Sequence, residues 1–320
     1  VSSKTFRGLG GSGPGSKLAE AFRQVASAAG SSGASGLFGQ VRRLTINNTL
    51  ILQSTSEFDI DFEVPFDDDP EINEATITLY NLAPTTLNQL VKDAIVTLEA
   101  GYEKDSVGQI LSGKIVEVHS SWEDLDHITE LTVQDYQGAE DTKLQDISYP
   151  AGTAASQILT DLSARLAIPI AIFQLARDHV FESAVKINGS LMDGIRKYAS
   201  VCGVHAWINK SNLYICALDV PMEEGYFDLN ANTGLLSVEE WQETETLEQT
   251  EAEKKAGQEA RKETINGCTL KMLLQHRVYT GCTIQVTSKN VNGRFRVREG
   301  QHTGSDDEFV TEVKAVRMGG

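Results

Sequence analysis

The sequence predicts a β-rich α+β protein, with two β-barrel domains flanking a small α+β domain. Three observations predict it. Short apolar-polar alternations bounded by turn residues recur on both sides of the chain. Two capped amphipathic helices and a hairpin lie between them. The two alternating regions also resemble each other in order and spacing. At 320 residues the chain has room for roughly two or three domains.

The elements follow in order. Residues 1–15 and 30–36 are rich in Gly and Ser, so ordering them costs entropy and buries little. Between them Lys17 to Ala29 can form a short helix, with Leu18, Phe22 and Val25 on one face. Alone it is too short to be stable, so a neighbouring surface must hold it. Val41–Ile46 and Leu50–Gln53 read as a hairpin turning at Asn47-Asn48. Phe58, Ile60, Phe62 and Val64 alternate with Asp59, Asp61 and Glu63, which reads as a half-buried strand with an acidic, exposed outer face. Ala75–Tyr80 alternates again, Pro84 starts a short helix, and Ile95–Tyr102, Ile110–His119 and Ile128–Tyr136 complete a first set of strands.

Composition changes after Tyr136. Thr153 is read as the cap of a helix ending near Leu166, with Ile158, Leu159, Leu162 and Leu166 on its core face. Pro169 opens an extended stretch. Ser190 caps a second helix with the stripe Leu191, Ile195, Tyr198 and Cys202, and Gly203 stands where a left-handed cap belongs. Val204–Ile208 and Leu213–Ala217 pair around a polar loop. Strands then resume, interrupted by the charged stretch 239–262, read as a charged helix or solvated excursion.

The repeat aligns Ile95–Tyr102, Gly113–Val118 and Thr129–Val133 with Gly281–Ser288, Gly293–Val297 and Thr311–Val316. The domain boundaries that follow are an arm at 1–36, a first barrel at 37–137, an α+β domain at 138–218, and a second barrel at 219–320 carrying 239–262 as an insertion.

A formal net charge of -17 disfavours a nucleic-acid reader, because such a surface repels phosphates. No apolar run reaches the roughly 18 residues of a membrane span, and Val1 to Gly15 carries no signal-peptide core, so synthesis and folding in a cytoplasm are expected. Cys202, Cys216, Cys268 and Cys282 form no CxxC pair, so buried, reduced thiols are expected and a zinc site is not. Gly8–Gly13 spells GxGxxG, but no strand precedes it, and it reads as linker.

The chemistry of catalysis is not assembled in the sequence. None of the six histidines lies in HExxH, and neither a G-x-S-x-G turn nor a phosphate loop occurs. Cys202 and His205 read as a buried helix end and strand start. Asp59, Asp61 and Glu63 share a strand face and are the best placed for a glycosidase acid pair, although the exposed-face reading accounts for them. Asp67-Asp68-Asp69 reads as a polar turn. Trp122, Trp207 and Trp241 do not share an element and read as core or interface anchors. No catalytic, cofactor or metal residue is assigned. The interface candidates are Leu18, Phe22, Val25 and Trp241.

The segments Asn73–Leu82, Leu98–Tyr102, Gly189–Cys216, Met272–Gly281, Val291–Val297, His302 and Phe309–Glu312, taken in order, resemble the bacteriophage tail hub family, which includes contractile baseplate hubs, late control protein D-like proteins and tailocin hubs. The resemblance spans Val41 to Val316. It implies two tail-tube-like barrels around a small peptidoglycan-binding-like scaffold domain. It implies a homotrimer forming a pseudo-hexameric ring, between a hexameric tail tube protein and a trimeric central spike or tip protein. The tape measure protein and other baseplate proteins would be partners, DNA would be met only in transit, and the location would be the virion tail or a tailocin particle. The Gly/Ser arm and 239–262 depart from that pattern. The alternatives are a cell-wall (peptidoglycan) binding module and a glycoside hydrolase of a tail machine.

Overall fold

The computed structural model describes residues 37–54, 58–67, 73–134, 147–209, 212–217, 226–246 and 262–318. The arm with Leu18, Phe22 and Val25 lies outside the described residues. Strands β1 (Gln40–Ile46), β2 (Leu50–Gln53), β3 (Ile60–Phe66) and β4 (Glu74–Tyr80) precede helix α1 (Pro84–Leu87). Then come β5 (Ile95–Tyr102), β6 (Val107–Glu123) and β7 (Asp126–Gln134). The middle unit holds β8 (Ile147–Tyr149), α2 (Ala155–Leu166), β9 (Ile170–Phe173), β10 (Val185–Ile187), α3 (Leu191–Val201), β11 (His205–Asn209) and β12 (Asn212–Cys216). The last part holds β13 (Tyr226–Leu229), a 3-10 turn, β14 (Leu235–Thr246), β15 (Lys262–Leu273), β16 (Thr283–Thr287), β17 (Asn292–Gly304) and β18 (Phe309–Arg317).

The first module orders its strands β3-β4-β7-β6-β5-β1-β2. Alternation explains the curl. Ile60, Phe62 and Val64 of β3 and Leu44 and Ile46 of β1 point into one core with Ile77, Leu98 and Leu131. Strands near opposite ends of the path thus bury one shared face, as in a barrel. Asn47 and Asn48 take positive φ at the β1–β2 turn, a conformation asparagine tolerates.

The second module orders its strands β13-β16-β17-β18-β15-β14 around Leu270, Ile284, Phe295 and Val313. Five strands repeat the first module in chain order and pairing. A hairpin (β3–β4, β14–β15) is followed by a meander (β5–β6–β7, β16–β17–β18), and the last meander strand pairs with the second hairpin strand. Each long meander strand carries a bulge, at Val116 opposite Ile115-Val133/Glu117-Thr132 and at Arg298 opposite Val297-Ala315/Glu299-Lys314. Superposing the bulges places Ile115 on Val297 and Thr129 on Thr311. The expected match of Gly113 with Gly293 is therefore two residues out, and Gly113 falls on Phe295. Strand alternation has a period of two, so a slip of two leaves the apolar pattern unchanged. The modules also differ at one flank: β1 runs antiparallel to β5, whereas β13 runs parallel to β16.

The stretch read as a charged helix or solvated excursion is corrected over its described part. Glu239 to Thr246 continues β14 and pairs with β15 as far as Thr246↔Lys262; residues 247–261 lie outside the described residues. Little burial is needed there. The backbone ladder and the ion pairs Lys314–Glu243 (2.8 Å) and Arg317–Glu240 (3.1 Å) hold the ribbon.

In the middle unit α2 and α3 pack through Ile158, Leu159, Leu162, Ile195 and Tyr198. Gly194 makes the close approach feasible, because a Cβ there would stand 3.2 Å from Leu162. The Ser190 hydroxyl accepts the Asp193 N–H at 3.0 Å, and Gly203 is left-handed at φ 76°. Thr153 is not the cap of α2. Its hydroxyl donates to the Pro150 carbonyl at 2.7 Å, and Asp178 from outside the helix accepts the Ser156 N–H at 3.0 Å and its hydroxyl at 2.6 Å. The acidic side chain suits a helix start, so the nearer threonine is left to close the turn before it. All four cysteines are buried thiols outside any disulfide.

Candidate assembly interface

The two β modules are far apart in sequence but share one sheet. β17 is long enough for two neighbours on the same side. Its first half pairs with β16, and Gly300 to Gly304 pair with Phe66 to Phe62 of β3. This seam matches aromatic rings to glycines. A Cβ on Gly300 would meet the Phe66 ring at 2.7 Å and the Glu312 carbonyl at 2.5 Å, and one on Gly304 would meet the Phe62 ring at 2.4 Å. Glycine is required here by the rings that lie across it. His302, between the glycines, is fully buried; its Nδ1 lies 2.8 Å from the Thr311 hydroxyl, and its ring lies 4.8 Å from that of Phe66.

Arg42 of β1 closes one end of the seam. It lies in step with Leu44 and Ile46 and so points inward, and it is 4% exposed. One terminal nitrogen donates to Asp59 (2.7 Å), Asp61 (3.4 Å) and the Ile60 carbonyl (3.2 Å). The other donates to Gln40 (3.1 Å) and the Ser305 carbonyl (2.7 Å), which links the first module to the β17–β18 hairpin. The guanidinium also stands 5.6 Å from the Phe309 ring centre.

The surrounding carboxyls have shifted affinities for protons. Burial raises that of Asp59, but hydrogen bonds from Asp306, Ser54 and the Ile60 N–H, with the Arg42 charge, outweigh it and hold the pKa below the usual value. Asp306 is raised, first by its hydrogen bond to Asp59 and then by that group's charge, so within the pair Asp59 is the first to give up its proton. Burial raises Asp61, and Tyr80, burying its hydroxyl against Asp61 at 3.0 Å, is pushed up to about 12.

The acidic face of β3 therefore departs in part from the exposed face that its sequence predicts. Glu63 is exposed, but Asp59 and Asp61 are half-buried and their oxygens are engaged by Arg42, Ser54, the Ile60 N–H and Tyr80. This binds the pair into the seam as a structural clamp. Beyond it, the β5–β6 turn meets the loop after β15: Ser106 lies 2.9 Å from His276, and Arg277 pairs with Asp105 at 3.2 Å. Leu273, Leu274 and Phe309 from the second part of the chain enter the first core.

Trp241 is half-buried on β14, with its ring over Gly267 and Lys314 Nζ 4.7 Å from the ring centre. Trp207 is buried and stacks on Tyr214, whereas Trp122 is 72% exposed at the β6–β7 tip. Among the described residues no group of three or more His, Cys, Asp or Glu is arranged to hold a metal ion, and no helix is long and apolar enough to cross a membrane. Sequence reasoning missed Arg42 and the seam. Two signals were present: a cation at an inward strand position, and glycines four apart in one strand to match phenylalanines four apart in another.

The family described as Baseplate hub gp41 matches residues 69–247, more than half of the chain. The chain belongs to this family. The hub's fold recurs in solved structures of low identity. The 43 kDa tail protein of prophage MuSo2 from Shewanella oneidensis has a TM-score of 0.60 at 9% identity, covering 87% of this chain and 98% of its own. A tail protein from Neisseria meningitidis MC58 gives 0.58 at 9%, with 88% and 97% covered. The E. coli c3393 protein, a component of the type VI secretion system, gives 0.55 at 14%, with 86% and 77% covered. These likenesses establish the fold. No curated protein matches the hub in sequence. Its place is the phage tail baseplate, in a structural role, as the resemblance implied.

Proposed function

We propose that three copies of this hub assemble into a pseudo-hexameric ring that joins the tail tube to the central spike or tip. The observation that carries this is the five-strand repeat joined by a seam within one chain. One chain then supplies two similar wedges already set side by side, and three chains supply six. In this reading the modules are domains at 37–137 and 219–320, the unit at 138–218 is a scaffold on the outside, and the arm at 1–36 with Leu18, Phe22 and Val25 reaches a neighbour. The hub works without catalysis or cofactor. Its partners are itself, the tail tube protein, the spike or tip protein, the tape measure protein and other baseplate proteins. DNA or tape measure passes through the lumen without being gripped, which suits a net charge of -17.

Native mass measurement and electron microscopy of the purified hub, alone and with tube and spike proteins, test this. The expected particle is a trimer with six similar lobes around a hole. A stable dimer about a two-fold axis, or a ring with another number of copies, would overturn it.

A further inference from the structure

The repeat has a consequence at the edges left uncovered within one chain. In the second module the β17–β18 hairpin is covered along Gly300–Gly304 by β3. Its counterpart is the β6–β7 hairpin. Superposed bulges place Val118 on Gly300, Ser120 on His302 and Trp122 on Gly304. A side-chain contact supports this register. Ser120 bonds Thr129 at 3.1 Å, as His302 bonds Thr311 at 2.8 Å, and both threonines are fully buried. Beyond Ile115, however, whose backbone still bonds Asp93 and Ala94, β6 pairs with β7 only, and its β5 side carries no strand among the described residues. There the tip is bare, with Trp122 72% exposed and Leu125 90% exposed.

The counterpart of β3 is β14. Thr78 pairs with Asp61, and its equivalent Lys271 pairs with Ser237, so Phe62, Val64 and Phe66 correspond to Val238, Glu240 and Gln242. Among the described residues β14 pairs with β15 alone, so its other edge is open as well. Open edges of this length are normally covered. One chain thus has the two halves of a second seam, on different modules.

We infer that the β6–β7 tip of one copy pairs antiparallel with β14 of a second copy, repeating the internal seam. The register is Val118↔Gln242, His119↔Trp241, Ser120↔Glu240, Ser121↔Glu239 and Trp122↔Val238. This deepens the ring reading above and rests on it. The internal seam lays Phe62 over Gly304, with the large group on the β3 side. Between copies the large group sits on the other strand, with Trp122 laid over Val238. The exposed indole gains a cover, and Trp241 meets His119. The contact is heterologous, tip to edge, so it closes only as a ring.

Cysteine cross-linking of the full chain tests the register. Ser120→Cys with Glu240→Cys, and Ser121→Cys with Glu239→Cys, cover two adjacent cross-strand pairs, one of which has the closer, non-hydrogen-bonded geometry that accepts a disulfide. The native cysteines are buried and give little background. Oxidation is expected to give covalent dimers and trimers from at least one double variant, and none from the single variants. Trp122→Ser is expected to leave the circular dichroism unchanged and to yield monomers. Trimers that form on native mass measurement without cross-links from either pair, or that Trp122→Ser leaves intact, overturn the inference while the ring stands. Absence of trimers in wild type overturns both.

Discussion

Replacing Arg42 with methionine keeps most of the side-chain volume and removes the charge from the seam. Its two terminal nitrogens make five hydrogen bonds, three to carboxylate or amide side chains and two to carbonyls. Breaking one side of a buried ion pair costs about 3–5 kcal/mol, because the other charge is left without compensation. Asp59 and Asp61 keep 28% and 27% side-chain exposure, so water can reach them and the cost falls toward the lower end, about 3 kcal/mol. Urea unfolding followed by circular dichroism is the assay, with hydrogen exchange on β3 and β17 to locate the loss. Adding Asp59→Asn and Asp61→Asn to Arg42→Met should recover about 1–2 kcal/mol, since the orphaned charges are gone. An Arg42→Met protein as stable as wild type, or one with no recovery from the asparagines, refutes the clamp.

Other expectations follow from the same geometry. Gly300→Ala should destabilise by about 1–3 kcal/mol, because the Glu312 carbonyl is backbone and cannot step aside, and thermal melting reads this directly. Asp306, raised in the folded hub, contributes stability that is present below the unfolded value of about 3.9 and lost as pH rises through the folded value. Asp59, lowered, contributes stability present above that value and lost as pH falls through its folded pKa. Asp306→Asn should therefore flatten the fall in stability just above the ordinary carboxylate range, as seen in melts at stepped pH. Ser190→Ala should cost about 1 kcal/mol through the lost α3 cap, measured by urea unfolding. Burial pushes the Cys268 thiol up to about 12, so alkylation at neutral pH should modify it only after denaturant is added.

The strands and helices were legible because their signals are local. Alternation fixed β3 and β4, Ser190 and Gly203 marked the ends of α3, and the paired asparagines marked the first turn. Recognising the repeat was also within reach, since hairpin and meander recur in order. What the residues could not reveal were events between distant segments. A register slip of two changes no side chain's face, so the bulges had to be seen before the repeat could be aligned. Asp59 and Asp61 look like surface until Arg42 is brought to them from another strand. Glu239 to Thr246 lacks an apolar stripe, and its strand state is conferred by the β15 ladder. Thr153 had the composition of a cap, but the helix starts from Ala154 and an aspartate from a later loop accepts the Ser156 N–H instead.

The pairing of Phe62–Phe66 with Gly300–Gly304 also sets a schedule for biosynthesis. When β3 leaves the ribosome, the strand that will lie beside it has not been made. At about 5–20 residues per second the delay is on the order of ten to fifty seconds. Throughout that interval two phenylalanines stand on an open strand border, on a polysome crowded with other chains, some of them further along in synthesis. A hairpin from a neighbouring nascent chain fits the place as well as the chain's own, and would give an exchanged dimer. Proximity within one molecule favours the correct pairing, so rapid elongation, low expression and early binding of a holding chaperone should each raise the yield of properly closed hub.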